Sequence, residues 1–197
     1  LPLVTRAAAV ELSIVMHEGY VLIKEIIVDS DLIDNLRNFV EGDLEAVLAL
    51  NNAAAPAVNN LTSSDLEWFA EVSHLFLVSE RKVNEKIQIT GFLIGLKGPG
   101  VDYQSINYSW FTSRYESFLY VDRVVVDVSS WSQGNGRRFY EALAGSGSNQ
   151  PVMCAEVNIK PRNERSLRFH EKFGFIPVGE QDTEGGSKRV QLMEYKI

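Results

Sequence analysis

A single cysteine, Cys154, in 197 residues leaves no partner for an internal disulfide. That excludes the disulfide-stapled secreted scaffolds and fits a reducing compartment. Basic residues are in short supply: 19 Lys and Arg stand against 26 Asp and Glu, for a net charge of −7. Such a balance disfavours nucleic acid, whose binders need surplus cations to displace counterions from phosphates. On the total alone it also disfavours a phosphorylated ligand. Long apolar runs are missing too. The most apolar early stretch, Ala7 to Ile27, is interrupted by Glu11, His17, Glu18, Lys24 and Glu25, short of the roughly 18 uncharged residues of a membrane-spanning helix. It lacks the basic start and cleavage site of a secretory signal. The cytoplasm is therefore the expected location, with no membrane partner. Fixed-period repeats and low-complexity tracts are absent, which sets solenoids aside.

What is present has the composition of a soluble globular chain, 45% hydrophobic and 23% charged. Residues 1–34 form an N-terminal extension. Its β-rich runs, Leu12–Met16 and Tyr20–Val28, flank the turn-like Glu18-Gly19 and suggest a β-hairpin. The hairpin extends a sheet, supports a homodimer or reflects only where the sequence starts. An acidic break follows at Asp29, Asp31 and Asp34. Residues 35–197 read as one α/β domain. A strand at Leu36–Val40 leads through Glu41-Gly42-Asp43 into a helix, Leu44–Ala55, capped by Asp43 and carrying Leu44, Val47, Leu48 and Asn51 on one face. Ser63 or Ser64 caps a second helix that turns Leu66, Phe69 and Ala70 inward. Strands His74–Glu80 and Ile87–Lys97 flank a polar turn, and the aromatic-rich stretch Tyr103–Tyr115 has no clear periodicity. Phe118–Val128, with its run of valines, reads as a central strand covered on both faces. Arg137–Ala144 (helix), Val152–Ile159 (strand), Asn163–Phe173 (helix closed by Gly174) and strands at Phe175–Gly179 and Arg189–Lys196 complete the pattern. Mixed strands and helices with a β-α-β second half predict an α/β sheet.

The most informative element is Gln133-Gly134-Asn135-Gly136-Arg137-Arg138, between the valine-rich strand and a helix. Glycines there admit a ligand close to the backbone, and the free N–H groups of a helix start face it, as suits a pyrophosphate. A dinucleotide-binding turn needs a third glycine where Phe139 stands, and a Walker loop needs Gly-Lys-Ser or Gly-Lys-Thr, which is absent.

Together with its context this turn resembles the cofactor motif of the Gcn5-related N-acetyltransferases (GNAT). Leu36-Arg37-Asn38-Phe39-Val40-Glu41-Gly42-Asp43-Leu44 resembles the family's opening strand, turn and helix. Val121 through Val126 followed by Gln133 through Leu143 resembles its cofactor motif. Asn163 through Ser166 with Phe169, His170, Phe173, Gly174 and Phe175 resembles the helix and strand flanking the pantetheine arm, in a subgroup with Phe-His in that helix. The resemblance implies a single GNAT-like domain, with a mixed, mostly antiparallel sheet, splayed central strands and flanking helices. It implies an acetyl-CoA-dependent N-acetyltransferase acting by direct attack of an amine, on a small molecule or a protein, without a metal. It places the cofactor on the backbone of Val124, Val125 and Val126, on Gln133, Gly134, Asn135, Gly136 and Arg137, and on Asn163 and Phe169. Two positions depart from the family. Trp131 stands where Arg or Gln is usual, three residues before the first turn glycine, so that either cofactor affinity is weaker or Gln133 and Arg137 substitute. His170 replaces a tyrosine that protonates the departing thiolate.

These departures motivate a competing reading, a non-catalytic acyl-CoA-binding regulatory module of the same fold. Transfer of a longer acyl chain is a further alternative. For catalysis, His170 is the expected acid, against a surface or capping role. Glu156 is the expected base, since a carboxylate amid an apolar strand is costly unless used or paired, here with Arg123 or Lys160. Asn158 and Asn163 either hold pantetheine or cap a helix, and Tyr120 either serves as an acid, contacts substrate or packs. Asn107, Tyr108, Trp110, Phe111, Arg114 and Tyr115 are candidates for the acceptor pocket or simply core. Cys154 lacks a sequence-adjacent His and is not expected to be a nucleophile. His17, His74 and His170 are too scattered for a metal site. The charge is also unevenly spread. Residues 1–34 carry four of the seven net negative charges, whereas residues 137–172 are locally +3, which restores room for an anionic cofactor.

Overall fold

The computed structural model describes residues 10–17, 20–27 and 34–197, with side chains from Asp34 onward. Strands β1 (Val10–His17) and β2 (Tyr20–Ile27) pair antiparallel from Val10↔Ile27 to His17↔Tyr20, in a two-stranded sheet of their own. The turn Glu18-Gly19 and the acidic residues Asp29 and Asp31 lie outside the described residues.

The remaining elements are β3 (Asn35–Asn38), α1 (Leu44–Ala53), α2 (Ser63–Val72), β4 (Leu75–Val83), β5 (Lys86–Gly98), α3 (Ile106–Thr112), β6 (Phe118–Val126), α4 (Asn135–Ser146), β7 (Val152–Lys160), α5 (Glu164–Phe173), β8 (Ile176–Thr183) and β9 (Lys188–Lys196). The seven strands β3 to β9 form one sheet in the order β3-β4-β5-β6-β7-β9-β8, antiparallel except for β6 and β7. Helices cover both faces. Val47, Leu66, Phe69, Tyr108 and Phe111 of α1 to α3 pack on one face with Phe92, Ile94 and Tyr120. Phe139, Tyr140, Leu143 and Leu167 of α4 and α5 pack on the other with Leu93, Leu119 and Met153. This is the α/β architecture expected, with a mixed, mostly antiparallel sheet.

The central parallel pair is joined at only two positions, Leu119↔Met153 and Tyr120↔Cys154. Beyond them β6 and β7 splay apart. A bulge contributes to the divergence: against β5, Gly95 pairs with Val121 and Ile94 with Arg123, so Asp122 is an extra residue on β6. From Val121 onward the edge of β6 that faces β7 has lost its strand partner, and so has the edge of β7 from Ala155.

Several local expectations change. The 103–115 stretch contains α3, seven residues capped by Ser105, whose side chain accepts from the Tyr108 N–H at 3.2 Å. Asp43 does not cap α1. Its carboxylate takes two hydrogen bonds from Arg37, at 2.6 and 2.8 Å, and one from the Val40 N–H. Thr62, not Ser63 or Ser64, caps α2 in a reciprocal box with Asp65; Leu66 and Phe69 are buried, while Ala70 is exposed and Trp68 is partly buried. The polar turn of the β4–β5 hairpin narrows to Asn84-Glu85, both at positive φ, as a tight two-residue turn requires.

Candidate functional site

The splay opens a cavity of about 400 Å³ between β6 and β7, lined by Asp122, Arg123 and Val124 of β6, Glu156 and Asn158 of β7, and Tyr140 and His170 from α4 and α5. One end is closed by the loop between α1 and α2, which crosses the gap. The Asn59 carbonyl accepts from Asn51 at 3.0 Å and from Arg123 at 3.3 Å, the Asn59 side chain accepts from Lys188 of β9 at 3.1 Å, and the Ala57 carbonyl accepts from Asn158 at 3.3 Å. One loop is thus tied to both arms of the sheet.

Glu156 sits at the centre. Its Oε1 accepts from Tyr120 Oη at 2.9 Å and Asn107 Nδ2 at 3.0 Å, and Gln181 holds Asn107 in turn at 2.8 Å. Oε2 is buried and has no hydrogen-bond partner. Burial, with the nearby Asp122 carboxylate, pushes the Glu156 pKa up to about 8 against the pull of its two donors. Neither cation expected as a partner reaches it. Arg123 pairs with Asp122 at 2.7 Å, and Lys160 reaches only the Gly186 carbonyl. Glu156 is therefore not half of a salt bridge.

His170 is buried. Its Nδ1 lies 2.7 Å from the Ser166 carbonyl and its Nε2 2.9 Å from Tyr140 Oη. A carbonyl only accepts, so Nδ1 carries the proton and Nε2 accepts from the tyrosine hydroxyl. Burial lowers the His170 pKa to about 4, so the ring is neutral near pH 7. The sequence reading missed Tyr140, which lines the cavity with His170 behind its hydroxyl.

At the glycine turn, Gly134 adopts φ +85° and forms the N-cap of α4, two residues earlier than the sequence suggests. A side chain there is strained whatever the space around it. No side chain caps α4, and the first intrahelical bond is Arg138 N–H to the Gly134 carbonyl. The N–H groups of Asn135, Gly136 and Arg137 accordingly have no helical acceptor. Gly136 lies under Phe169, where an added Cβ would be 3.3 Å from the ring. Asn135 turns inward, and the exposed Gln133 is tied to neighbouring groups. Gln133 bonds Arg81 and the Ser129 carbonyl, and Asn135 bonds the buried Asp34. Arg137 pairs with Glu141 at 2.8 Å. Asn163 caps α5, accepting from the Ser166 N–H at 3.1 Å.

Asp34 anchors this turn. Its carboxylate accepts from Arg81 at 2.6 Å, Thr90 at 2.7 Å and Asn135, and its carbonyl accepts from Arg138 at 2.6 Å. Burial works to raise its pKa, but the hydrogen bonds from Thr90, Arg81 and Asn135 outweigh it and hold the carboxyl below its ordinary value.

Of the aromatic-rich candidates for an acceptor pocket, only Asn107 lines the cavity. Tyr108 and Phe111 are core, Trp110 covers Gly179 with Arg114 stacked on it, and Tyr115 bonds Glu194. Cys154 is buried, and burial with the nearby carboxylates pushes its thiol pKa far up, unsuited to a nucleophile. Among the described residues no three His, Cys, Asp or Glu side chains gather as a metal site, and no helix is long and apolar enough to cross a membrane.

An unpartnered strand edge and a carboxylate in one cleft, with a turn of free N–H groups at the start of α4, whose Tyr140 lines that cleft, invite comparison with acyl-transfer enzymes. Residues 44–175 match the acetyltransferase (GNAT) family. The chain belongs to that family. Solved structures with this fold include Arabidopsis thaliana NAA60 in complex with a bisubstrate analogue, at TM-score 0.66 and 15% identity over 83% of this chain and 98% of that one. YncA of Salmonella typhimurium, solved with its cofactor acetyl-CoA, has TM-score 0.60 and 18% identity over 83% and 93%. An N-acetyltransferase from Staphylococcus aureus has 0.59 and 19% over 83% and 98%. No curated protein sequence matches the chain. At the level of class, this GNAT protein is an acetyltransferase.

Proposed function

We propose that the protein transfers acetyl from acetyl-CoA to the amine of a small molecule, with Glu156 as general base. The observation that carries the reading is the buried, unpartnered Glu156 Oε2 in the cleft. A carboxylate left without a partner there is costly, and a pKa near 8 suits removal of a proton from an ammonium group. The donor fits the same cleft. The free N–H groups of Asn135, Gly136 and Arg137 suit its pyrophosphate, and the partnerless edge of β6 through Val124, Val125 and Val126 can pair with amides of its pantetheine arm. Bound there, the thioester supplies the activated acetyl group. The side chains of Gln133 and Asn135 serve this site by holding the turn, and Asn163 and Phe169 by holding α5 beside it. His170 acts through Tyr140: its one N–H is committed to the Ser166 carbonyl and its Nε2 accepts the Tyr140 O–H, which turns from His170 to the departing thiolate to protonate it and takes its proton back from solvent.

The loop tied across the cleft favours a small acceptor over a polypeptide. Two hydrogen bonds, Asn158 to the Ala57 carbonyl and Lys188 to the Asn59 side chain, must yield before an extended chain can pass between this loop and β7 or β9. Release of CoA thiol, followed with a panel of small polar amines and a panel of free-N-terminus and lysine peptides, tests both parts. Small amines are the expected acceptors, with Glu156→Gln lowering their kcat/KM by about 10²-fold or more. Peptides alone as acceptors overturn the size argument. Unchanged E156Q kinetics return Glu156 to structure. Acetyl-CoA binding without turnover on either panel favours a regulatory module.

A further inference from the structure

Where relatives place a basic or amide side chain before the glycine turn, this chain has Trp131, and the two residues expected to substitute are engaged elsewhere. Gln133 lies between Arg81 and the Ser129 carbonyl, and Arg137 pairs with Glu141. Other cations near the turn are also committed. Arg138 donates to the Asp34 carbonyl, and Arg162 and Arg168 share Glu164.

Arg165 is different. It makes no ion pair among the described residues, and its guanidinium carbon sits over the Trp131 indole, 3.1 Å from the ring centroid. The indole is itself fixed, since Trp131 Nε1 donates to the Val126 carbonyl at 2.7 Å at the end of β6. Helix α5 runs beside the turn. One helical turn after Arg165, Phe169 covers Gly136, and a further turn on, Phe173 lies 5.5 Å from the Arg137 guanidinium. Arg165 and Trp131 therefore stand at the entrance of the turn whose free N–H groups begin at Asn135. Contact with an aromatic face leaves the guanidinium's in-plane donors available, in the planar fork that matches phosphate oxygens.

We propose that Arg165, held by Trp131, is the cation that meets a phosphate group of the CoA donor. Trp131 thus replaces the usual side chain by presenting a charge from the neighbouring helix. The proposal rests on the acetyl-CoA reading. Its chemistry fits either the pyrophosphate or the 3′-phosphate of CoA.

Calorimetric titration of the full chain with CoA and with dephospho-CoA, which lacks the 3′-phosphate, tests it without any acceptor. Arg165 is exposed, so Arg165→Ala leaves the core intact. It should weaken CoA about tenfold or more, the size of a lost charge-assisted contact. Arg165→Lys should recover only part, and Trp131→Ala should weaken CoA in the same direction. A loss confined to CoA assigns the 3′-phosphate. An equal loss for both ligands assigns the pyrophosphate. Wild-type affinity of R165A for both ligands overturns the proposal and leaves the acetyl-CoA reading standing. A wild-type chain that binds neither ligand overturns both.

Discussion

Two side chains of the cleft have opposite relations to the proton. Glu156 holds its proton to about pH 8 in the folded chain, whereas the same side chain ionises near 4.5 once unfolded. Between those limits the folded state binds more protons, so stability falls as pH rises through the window. Activity runs the other way, because only the ionised carboxylate accepts a proton, and kcat/KM should climb toward a plateau above about pH 8. Thermal melts of wild type and E156Q should therefore nearly coincide near pH 4.5 and separate by pH 9, with the variant the more stable. A gap that shrinks with rising pH contradicts this account. His170, neutral and held near 4 by burial, should leave no kinetic limb between pH 6 and 7. Tyr140→Phe removes the hydroxyl facing the cleft and should lower kcat about tenfold while KM for acetyl-CoA holds. An unchanged kcat places the hydroxyl in packing alone.

At the scale of elements, the turn before α4 is built from a distance. Asp34, at the start of β3, and Arg81, on β4, fix Asn135 and Gln133 through side-chain hydrogen bonds. The backbone of the turn is thereby set before a donor arrives, which spares the binding step an ordering cost. Asp34→Asn exchanges an acceptor oxygen for an N–H facing Thr90 or Asn135. KM for acetyl-CoA should rise roughly fivefold with little change in kcat. A fall in kcat at constant KM locates the effect in the chemistry and not in the turn. The same network ties the start of the sheet to the glycine turn, because Asp34 bonds both Asn135 and Arg138.

Across the whole molecule, what was legible in the sequence was what neighbours along the chain decide. The valine run of β6, Gly134 at its strained φ and the Asn163 cap of α5 are all local signals. Helix α3 was not legible, because Ile106–Thr112 is short and mixes polar and aromatic residues without a clear period. Thr62-x-x-Asp65 carried a capping signal that the adjacent serines obscured. The functional side chains divide in the same way. Glu156 stood out as a charge in an apolar strand. Asp34, Tyr140 and Arg165 take their meaning from residues 101, 30 and 34 positions away in the chain, which no local pattern reveals.

The two-rung junction between β6 and β7 has one more implication. Two hydrogen-bonded positions make a poor hinge pin for a seven-stranded sheet, and amides along the facing edges, from Val121 and from Ala155, have no strand to shield them from solvent. On the proposed reading, a pantetheine arm lying against β6 would supply rungs that the polypeptide omits. The sheet would then be finished by the donor itself, and each catalytic cycle would close and reopen a seam in the fold.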